Sequence, residues 1–313
     1  MQTPFFEQTQ SARNILLVGA GGGFDIVSGI ALYSHFRQQG KSLVLANLSF
    51  SALDFSGSEE VCPGTFRISR QSDDLPYFPE KYILDWIADA GHECPPMYGF
   101  SDQIGVRPLA AGYTHIIEQH HIDTIILVDG GTDSLMFGDE VRVGTIIEDA
   151  CSIVAANLVM PNHAYLAAIG FGVEHDFNHH ACLENIATLS RSGSFLGSIA
   201  LTNDMQEGKD FVSLVEYLNQ KMPLHRSIVN NSIASAVIGS FGDQHFTQRT
   251  KGSTQFVSPF MSLYWFFNLK GIHEHLQFAR DIINTETKGD IVEVYQRHRS
   301  TTPRRPDAKI PLT

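Results

Sequence analysis

Residues 14–25 read NILLVGAGGGFD, an apolar run that passes directly into three consecutive glycines and an acid. The first six residues are too few and too apolar for an amphipathic helix, so they predict a buried parallel strand. Helical periodicity follows from about Asp25 to Gln38, and Gly40 supplies a stop signal. The stretch therefore predicts a strand, a tight glycine turn and a helix, which together begin an α/β sheet.

The same alternation of apolar strands and helical patterns continues along the chain. Further strands are predicted at 42–48, 123–128 and 163–169, and one more apolar run at 260–267 is compatible with a strand. Strands that alternate with helices indicate a doubly wound, mostly parallel α/β sheet, here with a helix-rich C-terminal half after residue 178. The predicted later helices cover roughly 80–90, 108–119, 144–158, 179–190, 210–221, 226–238 and 269–283.

Length and composition limit the domain organisation. The chain has 313 residues, of which 43% are hydrophobic, and this describes a soluble globular protein with a sizeable core. We predict one α/β domain over residues 1–300 and a loose C-terminal tail at 301–313. A long irregular insertion is predicted at 55–80, because that segment is rich in Gly, Pro, Ser and Asp, and loops of this length are usually functional or mobile.

Charge and cysteine usage exclude several classes of partner. The formal net charge is -12, which argues against nucleic acid, because phosphate binding depends on clustered Lys and Arg. The sequence has neither signal-peptide features at its start nor an apolar run long enough for a membrane helix. The four cysteines are widely spaced, as is typical of a reducing compartment. We therefore expect a cytoplasmic protein without a membrane partner, and the apolar C-terminal half is compatible with a homodimer.

The first glycine-rich loop is a candidate ligand-binding turn. Ligands of open parallel sheets bind outside the carboxyl ends of the strands, where this loop should lie. We expect Gly21, Gly22, Gly23 and Asp25 to contact a ligand or cofactor, because glycines allow close backbone approach and the following helix offers free N–H groups. The alternative is a tight turn with no ligand, since Phe24 occupies the last glycine position of a dinucleotide fingerprint.

The second predicted strand argues against NAD as the cofactor. A dinucleotide site places an acid at the end of that strand to bind the ribose hydroxyls. Here that position holds Asn47, Leu48 and Ser49, and Asp54 lies several residues further on. NAD is therefore disfavoured, and the sequence identifies no other cofactor.

The second loop, which reads DGGTDS from residue 129, places two acids around two glycines at a strand end. Asp129 and Asp133 can turn their carboxylates towards one point, with Gly130, Gly131 and Ser134 completing the turn. Such a pair suits a divalent metal such as Mg²⁺, or general acid/base chemistry. The alternative is a plain turn in which Asp133 caps the next helix.

The third loop follows the strand at 163–169. Gly170 and Gly172 are expected to line the site, and Glu174 or His175 is expected to transfer protons at the strand end. His175 and His179 stand four residues apart, a spacing that could hold a transition metal on a helix, but the sequence defines no third ligand.

The three loops together predict a strongly acidic cleft. It would contain the carboxylates of Asp25, Asp129, Asp133, Glu174 and Asp176, with almost no Lys or Arg in the same loops. A bare phosphate would be repelled there unless a metal accompanied it. The cleft therefore predicts either a metal-assisted phosphorylated substrate or a cationic ligand such as an amine or a guanidine.

These observations favour an enzyme that hydrolyses, or transfers a group on, a small polar metabolite. In this hypothesis Asp129, Asp133, Glu174 and His175 are catalytic, and Asp129 and Asp133 are also the ligands of a divalent metal. The alternative is a non-catalytic sensor module that binds a nucleotide or an amine in the same cleft. A third alternative, an interaction protein without a small ligand, leaves the clustered acids unexplained.

Three motifs in a fixed order carry a resemblance to a known family. They read GAGGGFD at 19–25, VDGGTDSL at 128–135 with Gly-Asp-Glu at 138–140, and IGFGVE at 169–174. Over roughly residues 12–300 the chain resembles a domain-of-unknown-function family of archaea and bacteria, whose members carry Asp where this chain has Glu-His-Asp at 174–176. The resemblance implies a Rossmann-like architecture and the location of a site, but no reaction.

Overall fold

The computed structural model describes residues 2–245 and 254–310, which form a layered α/β structure. Nine of the described strands form one sheet, and two short strands, β9 and β10, form a separate pair. The strands are β1 (Asn14–Gly19), β2 (Ser42–Ser49), β3 (Glu59–Cys62), β4 (Thr65–Ile68), β5 (Met97–Ser101), β6 (Thr124–Gly130), β7 (Ala164–Ile169), β8 (Phe195–Ala200), β9 (Gly242–Asp243), β10 (Phe256–Val257) and β11 (Leu263–Asn268).

Helices cover both faces of this sheet. They are α1 (Pro4–Gln8), α2 (Asp25–Ser28), α3 (Ile30–Gln38), α4 (Pro79–Asp89), α5 (Val106–His120), α6 (Ile146–Val159), α7 (His179–Arg191), α8 (Gln206–Lys221), α9 (Ile228–Val237), α10 (Leu269–His275), α11 (Ala279–Ile282) and α12 (Lys288–Thr301). Among the described residues, no helix combines the length and the apolar character needed to cross a membrane.

The strand order confirms the predicted fold class. The sheet runs β3-β4-β5-β2-β1-β6-β7-β11-β8, and its five inner strands from β5 to β7 are all parallel. Because β2 and β6 lie on opposite sides of β1, the winding reverses direction between β1 and β6. The carboxyl ends of these two strands therefore define the topological switch point, which is where open α/β sheets bind ligands.

Two apolar cores lie on the two faces of the sheet, as the period of two along each strand requires. In β1, Leu16 and Val18 belong to the core under α5 and α6, whereas Ile15 and Leu17 belong to the core under α2 and α3. All four side chains are fully buried. This two-sided burial explains why the inner strands appear in the sequence as continuous apolar runs.

The sheet edges differ from the sequence prediction. The segment 55–80, predicted as irregular, contains β3 and β4, which pair antiparallel and extend the sheet beyond β5. At the other edge β11 runs antiparallel between β7 and β8. The strands β5 and β8 were absent from the prediction, because β5 contains only five residues and β8 is half exposed and lacks a continuous apolar run.

Two predicted helices are interrupted, and the tail is attached rather than loose. The helix predicted at 25–38 is divided at Gly29, and the one at 269–283 is divided after His275. In the tail, the Arg305 N–H donates to the Asp139 carbonyl at 2.7 Å, and the Val141 N–H donates to the Arg305 carbonyl at 3.0 Å. The last three tail residues lie outside the described residues.

Candidate functional site

A cleft of ≈ 900 Å³ opens at the carboxyl ends of β1 and β6, at the switch point. The described residues that line it include most of those predicted from the two glycine-rich loops. These are Gly21, Gly22, Gly23, Asp25, Asp129, Gly130 and Asp133, joined by Glu174 from the third loop.

Asp25 joins the first and second loops. Its Oδ2 accepts a hydrogen bond from the Gly21 N–H at 2.6 Å, and its Oδ1 accepts one from the Gly130 N–H at 3.2 Å. Asp129 accepts hydrogen bonds from both the backbone N–H and the hydroxyl of Ser134. These bonds fix two carboxylates at the ends of adjacent strands, so the site does not depend on mobile side chains.

Asp149 is the site residue that the sequence analysis missed. It lies in the first turn of α6, it is only 1% exposed, and neither of its oxygens has a hydrogen-bond partner among the described residues. Three carboxylate oxygens, one from each of Asp25, Asp129 and Asp149, lie within 4.8 Å of one another. Acids are common in first helical turns because they favour the positive end of the helix dipole, so the sequence alone did not single out Asp149.

Glycine is required where the carboxylates converge. A Cβ at Gly21 would lie 2.8 Å from Asp149 Oδ2 and 2.9 Å from Asp25 Oδ2, closer than real Cβ atoms approach. The next residue, Gly22, has a φ of 94°, which other residues rarely adopt. The consecutive glycines therefore allow the backbone to pass directly beside the carboxylate cluster.

Asp133 and Glu174 lie beside this cluster. Asp133 Oδ2 accepts hydrogen bonds from the Thr145 N–H at 2.9 Å and the Thr145 hydroxyl at 2.7 Å, which ties the second loop to the start of α6. Glu174 Oε2 is buried and has no hydrogen-bond partner within residues 2–245 and 254–310. The alternative in which Asp133 is the N-cap of the next helix is wrong, because Thr132 is the N-cap of the short 3₁₀ helix Asp133–Leu135 and Thr145 is the N-cap of α6.

The remaining predicted residues lie behind or outside the cleft. Ser134 is buried and contacts Asp129 rather than the opening. His175 is exposed and precedes α7, which begins at His179, so the two histidines do not share a helical face. Asp176 is also exposed, and its carboxylate lies 3.9 Å from Arg142 Nε. Gly131, Gly170 and Gly172 shape the turns but are not among the described cleft-lining residues.

Burial raises the pKa of the clustered carboxyls. It is the main reason that the pKa of Asp25 is about 8 and that of Glu174 about 9, with the charge of Asp133 as the second cause. The pKa values of Asp129 and Asp149 are also raised well above the usual range, again mainly by burial. The cluster therefore cannot hold all of its carboxylates ionised at neutral pH unless a cation compensates them.

Cationic side chains also line the cleft. Lys288 Nζ, at the start of α12, lies 2.6 Å from Glu148 Oε1 and 3.7 Å from Asp102 Oδ2, and Arg226 lines the wall that precedes α9. Among the described residues, Lys288 forms its ion pairs with Glu148 and Asp102 and not with the carboxylates of the cluster.

We expect the metal-free protein to lose stability as the pH rises. Glu174 has a pKa of about 9 in the folded protein and an ordinary value of 4.5, so its contribution is fully present below pH 4.5 and is lost as the pH rises through 9. One such group lowers the free energy of unfolding by up to about 1.4 kcal/mol per pH unit in that window.

Denaturant unfolding in EDTA at several pH values checks this expectation. The matched variant Glu174→Gln removes the titrating group and keeps the shape, so its unfolding free energy should fall less steeply between about pH 5 and pH 8. Equal slopes for the two proteins would contradict it.

The fold and this cleft define a doubly wound α/β protein with an acid-lined opening at its topological switch point. The chain belongs to the DUF1152 family, described as a protein of unknown function, whose family model matches residues 51–302. The match confirms the resemblance to an uncharacterised family, and it includes Asp129, Asp149 and Glu174 but not the Gly21–Asp25 loop. Comparisons with curated proteins and with solved structures gave no match.

Proposed function

We propose that the protein is a divalent-metal-dependent enzyme that hydrolyses, or transfers a group on, a small polar metabolite in the acid-lined cleft. The observation that carries the proposal is the convergence of Asp25, Asp129 and Asp149 within 4.8 Å, with Asp149 buried and without a hydrogen-bond partner among the described residues. Burying unpaired carboxylates is costly, and a divalent cation offsets that cost. Mg²⁺ and Mn²⁺ prefer such oxygen ligands.

The geometry supports a changed set of metal ligands. The sequence analysis predicted Asp129 and Asp133 as the metal ligands. The convergence of carboxylate oxygens instead favours Asp25 and Asp149 as the ligands that join Asp129. Asp133, held by Thr145, then contributes negative charge beside the ion. Asp25, Asp129 and Asp149 would each supply one oxygen to the ion, which would leave room on it for water and substrate.

Glu174 is the proposed proton-transfer residue. Its Oε2 has no hydrogen-bond partner among the described residues, its side chain lines the cleft, and its raised pKa keeps a proton available near neutral pH. A divalent ion held by Asp25, Asp129 and Asp149 would supply a water of lowered pKa, and the protonated carboxyl of Glu174 would donate its proton to the group that leaves the substrate. His175, which is exposed and outside the cleft lining, has weaker support for this role.

The second candidate is a sensor module that binds a nucleotide or an amine without turnover. The clustered carboxyls favour it because an ammonium or guanidinium group would also compensate their charge.

A cytoplasmic location is proposed from the four free cysteines among the described residues, which suit a reducing compartment. The homodimer predicted from the sequence stays a prediction.

Native mass spectrometry with Mn²⁺ tests the metal site. After EDTA treatment and addition of Mn²⁺, we expect one ion per chain in the wild type and none in Asp129→Asn at the same free Mn²⁺ concentration, because the variant loses a charged ligand. Asp176→Asn is the matched control: Asp176 follows Glu174 by two residues but is exposed and outside the cleft lining.

Retention of Mn²⁺ by Asp129→Asn, or no retention by the wild type, would overturn the metal site. Turnover of metabolites by the Mn²⁺-loaded protein, lost in Asp129→Asn and kept in Asp176→Asn, would support the enzyme over the sensor. Ligand binding without turnover would favour the sensor.

A further inference from the structure

The cleft is lined by basic side chains as well as by the carboxylate cluster. Arg226 lines it just before α9, and Lys288 lines it at the start of α12, where its Nζ pairs with Glu148 and Asp102 of the same lining. The carboxylates would repel a bare phosphate. A phosphate bound together with a divalent cation would suit both kinds of charge, because the cation contacts the carboxylates and the phosphate lies towards Arg226 and the start of α9.

The start of α9 adds backbone donors next to Arg226. Ser227 accepts a hydrogen bond from the Asn230 N–H at 3.1 Å, which leaves the earlier N–H groups at Ile228 and Val229 without partners within the helix. Both residues line the cleft, and helix N-termini favour anions. Independent support for a ligand here comes from the buried Asp149, whose unpartnered carboxylate lines the same cleft.

The start of α9 is held against α2 by hydrogen bonds. Asn230 Oδ1 accepts a hydrogen bond from the Ser28 hydroxyl at 2.8 Å, and Asn230 Nδ2 donates to the Phe24 carbonyl at 3.2 Å. These bonds join the first turn of α9 to α2, which begins with Asp25. The donors of α9 and the carboxylate cluster therefore form one prearranged site.

An aromatic ring lies in the cleft just after the end of β2. Phe50 directly follows β2, is 48% exposed and lines the cleft. Its ring lies against Gly22 and Gly23, so that a Cβ at these positions would come within 2.6 and 3.1 Å of it. Lys288 Nζ lies 5.8 Å from the ring centroid, and the exposed part of the ring offers a contact surface for a planar group.

We propose that the substrate is a small phosphate ester with a planar ring, its phosphate between the divalent metal and the start of α9 and its ring against Phe50. This inference rests on the proposed metal-dependent function and names its substrate class. The cleft volume of ≈ 900 Å³ is within the range of sites for ligands of this size.

Calorimetry on the full chain with adenosine 5′-monophosphate and uridine 5′-monophosphate tests the inference. With Mn²⁺ present, we expect each nucleotide to bind at least about tenfold more tightly than ribose 5-phosphate, which lacks the ring, and than its nucleoside, which lacks the phosphate. Replacing Mn²⁺ by EDTA should weaken nucleotide binding by about tenfold or more. Spermidine, the amine probe, should bind weakly.

Phe50→Leu separates the ring from the phosphate. It should weaken nucleotide binding by roughly tenfold and leave ribose 5-phosphate binding and Mn²⁺ binding unchanged. Phe55→Leu is the matched control, because Phe55 is 78% exposed, lies five residues away and is not part of the cleft lining.

The outcomes keep the two proposals apart. Mn²⁺ binding without any gain for the phosphate probes would overturn the substrate class and leave the metal site standing. Equal affinity for the nucleotides and ribose 5-phosphate, unaffected by Phe50→Leu, would overturn the ring. Tight spermidine binding with no Mn²⁺ binding would overturn the metal site and the substrate class together.

Discussion

Replacing Asp149 with asparagine should stabilise the metal-free protein and at the same time abolish its stabilisation by Mn²⁺. Asp149 is 1% exposed, its oxygens lack partners among the described residues, and two further carboxylates lie within 4.8 Å. In the metal-free protein at neutral pH, Asp149 must either ionise beside other carboxyls or hold a proton that the unfolded chain releases, and both cost free energy. Asparagine removes this cost, so the replacement should raise the free energy of unfolding in EDTA by roughly 1–3 kcal/mol.

Mn²⁺ should stabilise the wild-type protein much more than the Asp149→Asn variant. Wild-type protein at a free Mn²⁺ concentration of about 100 times its dissociation constant gains about 2.7 kcal/mol of stability. Asp149→Asn loses a charged ligand, so its affinity should fall by about 100-fold or more and most of this gain should disappear. A site that costs stability when empty and gains it when filled is typical of a preorganised functional cluster.

Denaturant unfolding with EDTA and with Mn²⁺ measures both effects on the same two proteins. Asp281→Asn is the control, because Asp281 also lies in the first turn of a helix but is exposed on α11. The control should match the wild type under both conditions. If Asp149→Asn were less stable in EDTA and still gained the full stability from Mn²⁺, Asp149 would have no part in a metal site.

The inner strands of the sheet were predictable because short stretches of sequence are enough to identify them. The apolar runs of β1 and β6 are too short for helices, and their burial on both faces leaves no polar alternation. The edge strands β3 and β4 were not predictable in the same way, because they are short and their pairing with β5 depends on contacts distant in sequence. Only the tertiary structure defines them.

The site was predictable only in part, for a related reason. Topology alone places the loops after β1 and β6 at one edge, so Asp25 and Asp129 follow from the sequence. Asp149 depends on how α6 packs over that edge, and its sequence neighbourhood resembles any acidic first turn of a helix. His175 was misplaced because the path of the backbone after Gly172, and not the strand end, decides which side chains reach the cleft.

The C-terminal tail anchors the loop that follows the second acidic motif. Glu140 is fully buried and accepts hydrogen bonds from the Phe137 N–H at 2.9 Å, the Gly138 N–H at 2.8 Å and Arg305 Nη2 at 2.6 Å. Arg305 also contacts Asp139, with its Nη2 2.9 Å from Oδ1. The Gly-Asp-Glu motif at 138–140 is therefore a docking point for the tail. The same loop continues to Thr145, which binds Asp133 and precedes α6.

Arg305→Met should lower the free energy of unfolding by about 3–5 kcal/mol near neutral pH, because it leaves the Glu140 carboxylate buried without its cation while keeping the apolar stem. Denaturant unfolding measures the loss. Arg304→Met, at an exposed neighbouring position, should change stability by less than about 0.5 kcal/mol. Glu140→Gln in the Arg305→Met background should recover part of the loss, since no unpaired charge is then buried. If Arg305→Met behaved like Arg304→Met, the tail would not anchor this loop, and the positions of Asp133 and α6 would be set by the sheet and the helix packing alone.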